Sequence, residues 1–548
     1  MTALHRLVLC LAVAAGLAVS SPSRAEPTPV VDVPAGPLQG QIEGALRVFK
    51  GIPYTLPPVG ALRWKPPAPM PRWTDVRSAT EYGPACIQPK AALSTIYSAD
   101  PVPMSEDCLT LNVWAPADAR NAPVFVWIYG GALWGGSSRD TLYDGARLAA
   151  HGVIVVTINY RLGPLGWLAH PALSAESPLG VSGNYGLLDQ IAALHWVKDN
   201  IGAFGGDPSN VTIAGESAGG LSVMYLMAAP AARGLFAKAI AQSAYMISTP
   251  ELRDSRFGDP PAEAVGTWLA GKLGAKDIAG LRAMDATTLT NVAAQAGYAP
   301  FGTVDGKVLP RQLVDVFDRG EQARVPILAG FNSGEIRSLR VLAPPPPADI
   351  SAYTAQIRAR YGELSHDFLQ LYPAGNMAES ILKTTRDALY GWTAERLVAK
   401  QTALGAPSFL YYFDHGYPAA DDAGLHAFHA SELPYVFGTA DRTAPLWPKI
   451  PATPAEASLS DAMLGYWTAF ARDGVPRAAG QPQWQPYGTE RAYMAFANAP
   501  QPGTHLLPGM YEFNEQVVCR RRVQGGIAWN WNVGIVSPPL PPGTPQCP

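Results

Sequence analysis

Charge is scarce in this chain. Lysine and arginine number 41 against 44 aspartates and glutamates, only 16% of 548 residues, and the formal net charge is −3. A surface so thinly and evenly charged leaves no electrostatic argument for nucleic acid or anionic membrane as a partner. The one short basic cluster, Arg520-Arg521-Arg522, reads as solvated surface. Long apolar runs are missing too: no segment reaches the ~20 residues that span a bilayer. Nine histidines and five cysteines show no zinc-like spacing, so no metal is expected. G-x-G-x-x-G and a phosphate loop ending in Gly-Lys-Ser/Thr are both absent, and no cofactor is expected. No repeat is visible, and nothing calls for an obligate protein partner.

The N-terminus reads as a secretory signal. His5 and Arg6 precede an apolar run from Leu7 to Val19, and Ser23-Arg24-Ala25 stands before Glu26. Basic start, apolar stretch of ~7–15 residues and small-residue cleavage site are the parts of such a signal. Residues 1–25 are therefore expected to be removed and the protein exported, periplasmic or secreted. With Cys10 inside the signal, Cys86, Cys108, Cys519 and Cys547 remain. Four cysteines allow three pairings. Proximity in the chain favours Cys86–Cys108 and Cys519–Cys547, and an oxidising compartment makes disulfides the default.

Residues 26–548 read as a single α/β domain with an irregular tail from about 514. Val124–Tyr129 and Val153–Ile158 are continuous apolar, β-branched runs of the kind found in strands buried on both faces. Leu187 to Phe204 has a helical apolar period. Asn210–Ala214 is the next strand, Leu221–Ala229 a helix, and Lys238–Ala241, Val325–Ala329 and Phe409–Phe413 later strands. Strands alternating with helices predict a mainly parallel sheet. Pro344–Pro347 can continue neither helix nor sheet and stiffens a loop.

Within this frame Gly215-Glu-Ser-Ala-Gly219 gains meaning. Alone, a serine between two glycines is weak evidence. Between a strand and a helix it has the context of a nucleophile elbow, a strained turn that presents the serine at a helix N-terminus. Ser217 is the candidate nucleophile, and it needs a base and an acid to orient that base. Tyr129-Gly130-Gly131-Ala132, also following a strand, resembles the glycine-rich oxyanion motif of lipases and esterases. Binding of a nucleotide phosphate is the competing reading for such a turn.

More extended motifs identify a family. Ser105-Glu-Asp-Cys-Leu-Thr-Leu-Asn-Val-Trp114, Asn159-Tyr-Arg-Leu-Gly163, Gly183-Asn-Tyr-Gly-Leu-Leu-Asp-Gln190 and Asn200-Ile-Gly-Ala-Phe-Gly-Gly-Asp-Pro208 lead in order to the Ser217 elbow. The set resembles the type-B carboxylesterases, which include the cholinesterases and many bacterial esterases, over about Pro37 to Phe513. The resemblance implies an α/β-hydrolase fold with loop and helical insertions over the site, cleavage of carboxylic esters, and the chain order nucleophile, acid, histidine. Gly330-Phe-Asn-Ser-Gly-Glu335 is similar to the family's acid segment, making Glu335 the acid, although Gly334 and Ile336 depart from its usual Asp and Gly. Phe428-His-Ala-Ser-Glu-Leu-Pro-Tyr-Val-Phe-Gly438 is similar to the histidine segment, making His429 rather than His426 the base.

The implied reaction has His429 take the Ser217 proton, Glu335 orient the imidazole, and the amides of Gly131, Ala132 and Ala218 hold the oxyanion of a small-molecule ester. Glu216 is read as a structural acid in preference to a second charge at the site, and Ser243 as a support for the triad. Leu133, Trp134, Tyr245 and Met246 are candidate pocket walls, with core packing an equal explanation. The alternatives are hydrolysis of carbamates, activated amides or polycarboxylic acid esters, and a catalytically silent cholinesterase-like scaffold. Cholinesterase activity is disfavoured because the Cys86–Cys108 segment holds Tyr97 and no tryptophan. Arg337 and Arg340 follow Glu335 in a loop expected near the site mouth; two solvated arginines are the favoured reading, and the sharper one has one of them pair with a substrate carboxylate.

Overall fold

A computed structural model describes residues 26–89, 95–98 and 103–547; the signal-peptide reading falls outside them. Its centre is an eleven-stranded sheet. In chain order the strands are β1 (Gln41–Glu43), β2 (Leu46–Pro53), β3 (Thr110–Pro116), β4 (Ala122–Ile128), β5 (Ile154–Ile158), β6 (Gly206–Glu216), β7 (Lys238–Gln242), β8 (Ile327–Asn332), β9 (Ser408–Phe413), β10 (Ala492–Phe496) and β11 (Pro500–Thr504). Across the sheet they run β1-β2-β3-β5-β4-β6-β7-β8-β9-β10-β11. From β5 to β10 every neighbouring pair is parallel. The edges are antiparallel.

Continuous apolar runs make the central strands because both faces are covered. Along β4, Val124, Val126 and Ile128 enter one core cluster while Phe125 and Trp127 enter the other. In β5, Ile154, Val156 and Ile158 take the first side and Val155 the second. The alternation of a strand thus divides one apolar run between two cores. Helix α1 (Tyr185–Asn200) stops earlier than its apolar period suggests, because Ile201–Phe204 tightens into a 3-10 turn closed by Gly205 at φ 85°. Helix α2 (Ala218–Ala228) is buried along its whole length.

The motifs that join these elements are tied to each other. Arg161 donates its Nε and Nη2 to the Asp189 carboxylate, both at 2.7 Å, and its backbone amide donates at 3.0 Å. Both residues are buried, so the loop after β5 is locked to α1 by a bidentate ion pair. Cys86–Cys108 and Cys519–Cys547 are the two disulfides, as chain proximity favours.

Two expectations need correction. The chain does not turn irregular at about 514: helix α3 (Met510–Gln524) runs through that point, and the tail begins after Gly525. Nor is the basic cluster a solvated surface. Arg520 and Arg521 are buried, Arg520 pairs with Glu363, and Arg522 pairs with Asp315 and Asp318. Residues distant in the chain supply these partners, so the cluster alone gave no sign of them.

Candidate active site

The C-terminal ends of β4, β6 and β8 converge on one cavity, the usual place for a site in an open parallel sheet. At the end of β6 Ser217 has φ 56° and ψ −121°, a left-handed conformation rare for a residue with a side chain. The flanking glycines explain how so tight a turn is possible. A Cβ on Gly219 would lie 2.0 Å from the Ile128 carbonyl oxygen, and one on Gly215 would lie 2.4 Å from the carbonyl carbon of Gly219. Only hydrogen fits at either position. The Ser217 amide is anchored on the Gln242 carbonyl at 2.9 Å, and α2 starts at the next residue.

After β4 the backbone is again forced into the left-handed region, at Gly131 (φ 99°), Ala132 (φ 55°) and Leu133 (φ 60°). Two such residues bearing side chains in succession store strain that the surrounding contacts must hold. Trp134 and Gly135 close the turn by donating to the Gly131 carbonyl at 2.9 and 3.0 Å. The amides of Gly131, Ala132 and Ala218 have no acceptor among the described residues.

His429 completes the constellation. Its Nδ1 lies 2.5 Å from Glu335 Oε2, and Glu335, at the start of a short helix after β8, is fully buried. The other oxygen of Glu335 accepts the Asn332 amide at 2.8 Å. Asn332 Nδ2 donates at 2.7 Å to Glu432, which also accepts Gln242 Nε2 at 2.9 Å, while Gln242 Oε1 accepts Trp467 Nε1 at 2.9 Å. A buried chain of hydrogen bonds therefore supports the acid–imidazole pair from behind.

Glu216 proves to be part of the site. It is buried, with Oε1 3.1 Å from His429 Nε2, so the reading of it as a purely structural acid is corrected. At the end of β6 the side chain before Ser217 turns toward the imidazole, a direction that the strand's alternation alone does not reveal. Burial pushes the Glu216 carboxyl up to about 8, and the neighbouring acids reinforce this against the opposing pull of His429. Burial also raises Glu432 to about 7. For His429 burial disfavours the cation, but the Glu216 and Glu335 carboxylates outweigh it and raise the imidazole to about 9. Carboxyls and imidazole packed this closely titrate as a unit.

Three residues beyond the motifs position His429. Tyr97 Oη lies 2.9 Å from the His429 carbonyl and 2.7 Å from Ser338 Oγ, one hydroxyl proton serving both, and Ser338 Oγ accepts the His429 amide at 3.3 Å. The Tyr390 ring lies 5.3 Å from the imidazole, centroid to centroid. Ser243 (φ 43°) sits behind the elbow, its amide donating to the Gly330 carbonyl at 2.8 Å.

Ser217, Glu216 and His429 share a cavity of about 540 Å³ with Gly131 and Ala132. Trp134 and Tyr245 line it, whereas Leu133 and Met246 are buried in the main core. The loop after Glu335 reaches the mouth, but through Leu339, Val341 and Leu342. Arg337 holds both Glu379 oxygens at 3.0 Å and Arg340 is exposed, and neither lines the cavity. That stretch is a short helical turn, and its winding turns the apolar side chains inward. No group of His, Cys, Asp and Glu among the described residues could hold a metal ion, and no helix there is long and apolar enough to cross a membrane.

Known proteins match this arrangement over most of the chain. Fumonisin B1 esterase of Sphingopyxis macrogoltabida is 36% identical over 490 residues, 86% of this chain and 87% of that protein. Para-nitrobenzyl esterase of Bacillus subtilis (strain 168) is 37% identical over 476 residues, 84% of this chain and 93% of that protein. A solved PNB esterase structure superposes with a TM-score of 0.75 at 33% identity, covering 88% of this chain and 99% of the other. The α/β-hydrolase fold and the esterase relatives agree with the characteristic pattern of one family, which matches residues 27–513: the chain is a carboxylic ester hydrolase belonging to the carboxylesterase family.

Proposed function

We propose that the protein cleaves carboxylic esters through an acyl-enzyme formed on Ser217, with His429 as base and Glu335 as the orienting acid. The observation that carries this reading is a strained serine at a helix start, in the same cavity as an imidazole bound at 2.5 Å by a buried carboxylate. Neutral His429 takes the Ser217 hydroxyl proton at Nε2 as the oxygen attacks the ester carbonyl. The tetrahedral oxyanion is held by the amides of Gly131, Ala132 and Ala218; removing one donor of this kind typically costs about 3–4 kcal/mol in barrier. The imidazolium returns its proton to the departing alkoxide, which leaves as the alcohol. Water then attacks the acyl-serine with His429 again as base, releasing the acid and restoring Ser217.

The Glu216 carboxylate, 3.1 Å from Nε2, favours the imidazolium once that forms. Two relatives are named for a nitrobenzyl ester and for fumonisin B1, and a cavity of about 540 Å³ lies within the range that encloses drug-sized molecules. The proposed substrates are uncharged, largely apolar small-molecule esters, since Leu339, Val341 and Trp447 line the cavity and no lysine or arginine among the described residues does. Export through cleavage of residues 1–25 fits the two disulfides. Stopped-flow hydrolysis of a nitrophenyl ester tests the acyl-enzyme: nitrophenol should appear in a burst stoichiometric with enzyme, followed by a slower steady rate. A burst that persists in Ser217→Ala overturns the reading.

A further inference from the structure

The chain continues past the family-matched residues, and this continuation is anchored more firmly than a surface tail requires. Arg521 is fully buried and has no carboxylate partner among the described residues. Its guanidinium instead donates to the carbonyls of Ala528 (3.4 Å), Trp531 (2.9 Å) and Asn532 (3.1 Å) and to Ser537 Oγ (2.6 Å). An unpaired charge is costly to bury, and here the offset comes from fixing the backbone of the tail. Further ties act on the same stretch. Trp529 is buried with its ring centroid 5.9 Å from that of Trp392, Asn530 donates to the Met246 carbonyl, and the Gly534 amide donates to Tyr361 Oη at 2.7 Å. Cys519–Cys547 closes the loop.

Between these ties stands Trp531, 40% exposed and in the wall of the Ser217 cavity. Trp531 also lines a second cavity of about 160 Å³, formed by the tail, by the loop after Glu335 and by Thr385 and Leu389 of the helical stretch 377–391. Trp531, Val341, Leu342 and Leu389 line both cavities, so the two spaces are neighbours across one apolar partition. Val341 is 92% exposed at this edge. Apolar surface left open beside a site, on a backbone clamped in place, is typical of a surface that contacts ligand.

We propose that the C-terminal segment turns this second cavity into a distal subsite, with Trp531 as the specificity-determining wall and the remote apolar end of an extended ester as its occupant. The proposal rests on Ser217 being the nucleophile. A long ester would lie with its carbonyl at Ser217, pass Trp531, and bury its far end against Val341, Val533 and Val536. Short esters would leave the subsite empty, so the segment would act on chain-length preference and not on the chemistry.

Full-length, disulfide-intact protein tests this with two series: nitrophenyl esters from acetyl to dodecanoyl, and acetates of alcohols graded in the same way. The readout is the long-to-short ratio of kcat/KM, which cancels any general loss of catalytic power. Val533→Trp fills the second cavity from a position outside the Ser217 cavity lining. It should lower the ratio about tenfold or more in one series, a size typical of losing a few methylenes' worth of pocket. That series identifies the end of the ester that is held. Trp531→Ala should also change the ratio, and Trp531→Phe should restore most of it. If Val533→Trp does not fold, as judged by thermal unfolding, Val536→Trp fills the same space from its exposed rim. A ratio unchanged in the filled and Trp531→Ala variants, or long and short esters falling by one common factor, overturns the subsite. Failure of the underlying reading would appear separately, as short-ester turnover surviving in Ser217→Ala.

Discussion

His429 stands between two carboxylates: Nδ1 is 2.5 Å from Glu335 and Nε2 is 3.1 Å from Glu216. The first contact fixes the tautomer that leaves Nε2 free to accept a proton; the second sets how readily it does so. Glu335→Gln should keep the fold but lower kcat about ten-thousandfold, because an amide no longer enforces the tautomer. Steady-state hydrolysis of a short nitrophenyl ester measures this, and a loss of less than tenfold would remove Glu335 from the role.

The second contact predicts a pH effect of definite sign. In the proposed mechanism His429 acts as a base only when neutral, so kcat/KM should climb as pH rises through its pKa. Although burial lowers that pKa, the Glu216 and Glu335 carboxylates raise it to about 9. Glu216→Gln removes one of them, so the acid limb of the profile should move to lower pH. A limb that stays in place means that Glu216 is neutral across the working range and does not act on the imidazole.

The elbow predicts a steric effect. In Gly219→Ala the new methyl carbon would meet the Ile128 carbonyl at 2.0 Å, between a central strand and a fully buried helix. Overpacking a core typically costs about 1–3 kcal/mol, and backbone on both sides places this case at the upper end. Denaturant unfolding should show the loss, together with at least a hundredfold fall in kcat as Ser217 shifts. Wild-type stability in Gly219→Ala would show that the turn can relax.

The Cys86–Cys108 disulfide should matter to stability and to turnover together. Removing a native bridge with a sequence separation of 22 costs about 3 kcal/mol in chain-entropy terms. The segment it closes carries Tyr97, whose hydroxyl holds the His429 carbonyl at 2.9 Å. Serine at both positions should lower the unfolding midpoint and reduce kcat, and Tyr97→Phe should reduce kcat alone. A disulfide-free protein with unchanged kcat would separate the bridge from the imidazole.

What could be read from the chain was what lies close together in it. The Ser217 elbow depends on five consecutive residues between a strand and a helix, and the central strands announce themselves by continuous apolar runs. The acid and histidine segments became legible through resemblance to a family. Side-chain direction was not legible. Glu216 looked structural because nothing in a strand end says which way its last carboxylate turns. Arg337 looked available because its partner Glu379 arrives 42 residues later. Arg521 looked solvated because the segment that buries it follows it in the chain. Strand β11 contains Pro500, Pro502 and Gly503, residues that disfavour a strand in isolation; it forms only as an edge paired with β10.

The central claim is that Ser217 is the nucleophile, and covalent labelling tests it most directly. The protein is treated with a nitrophenyl dialkyl phosphate, digested, and mapped by mass spectrometry alongside Ser217→Ala. Phosphorylation stoichiometric with enzyme, confined to the Ser217 peptide, accompanied by loss of esterase activity and absent from the variant, is the predicted result. Label on another residue, or more than a few per cent of wild-type hydrolysis in Ser217→Ala, would contradict it.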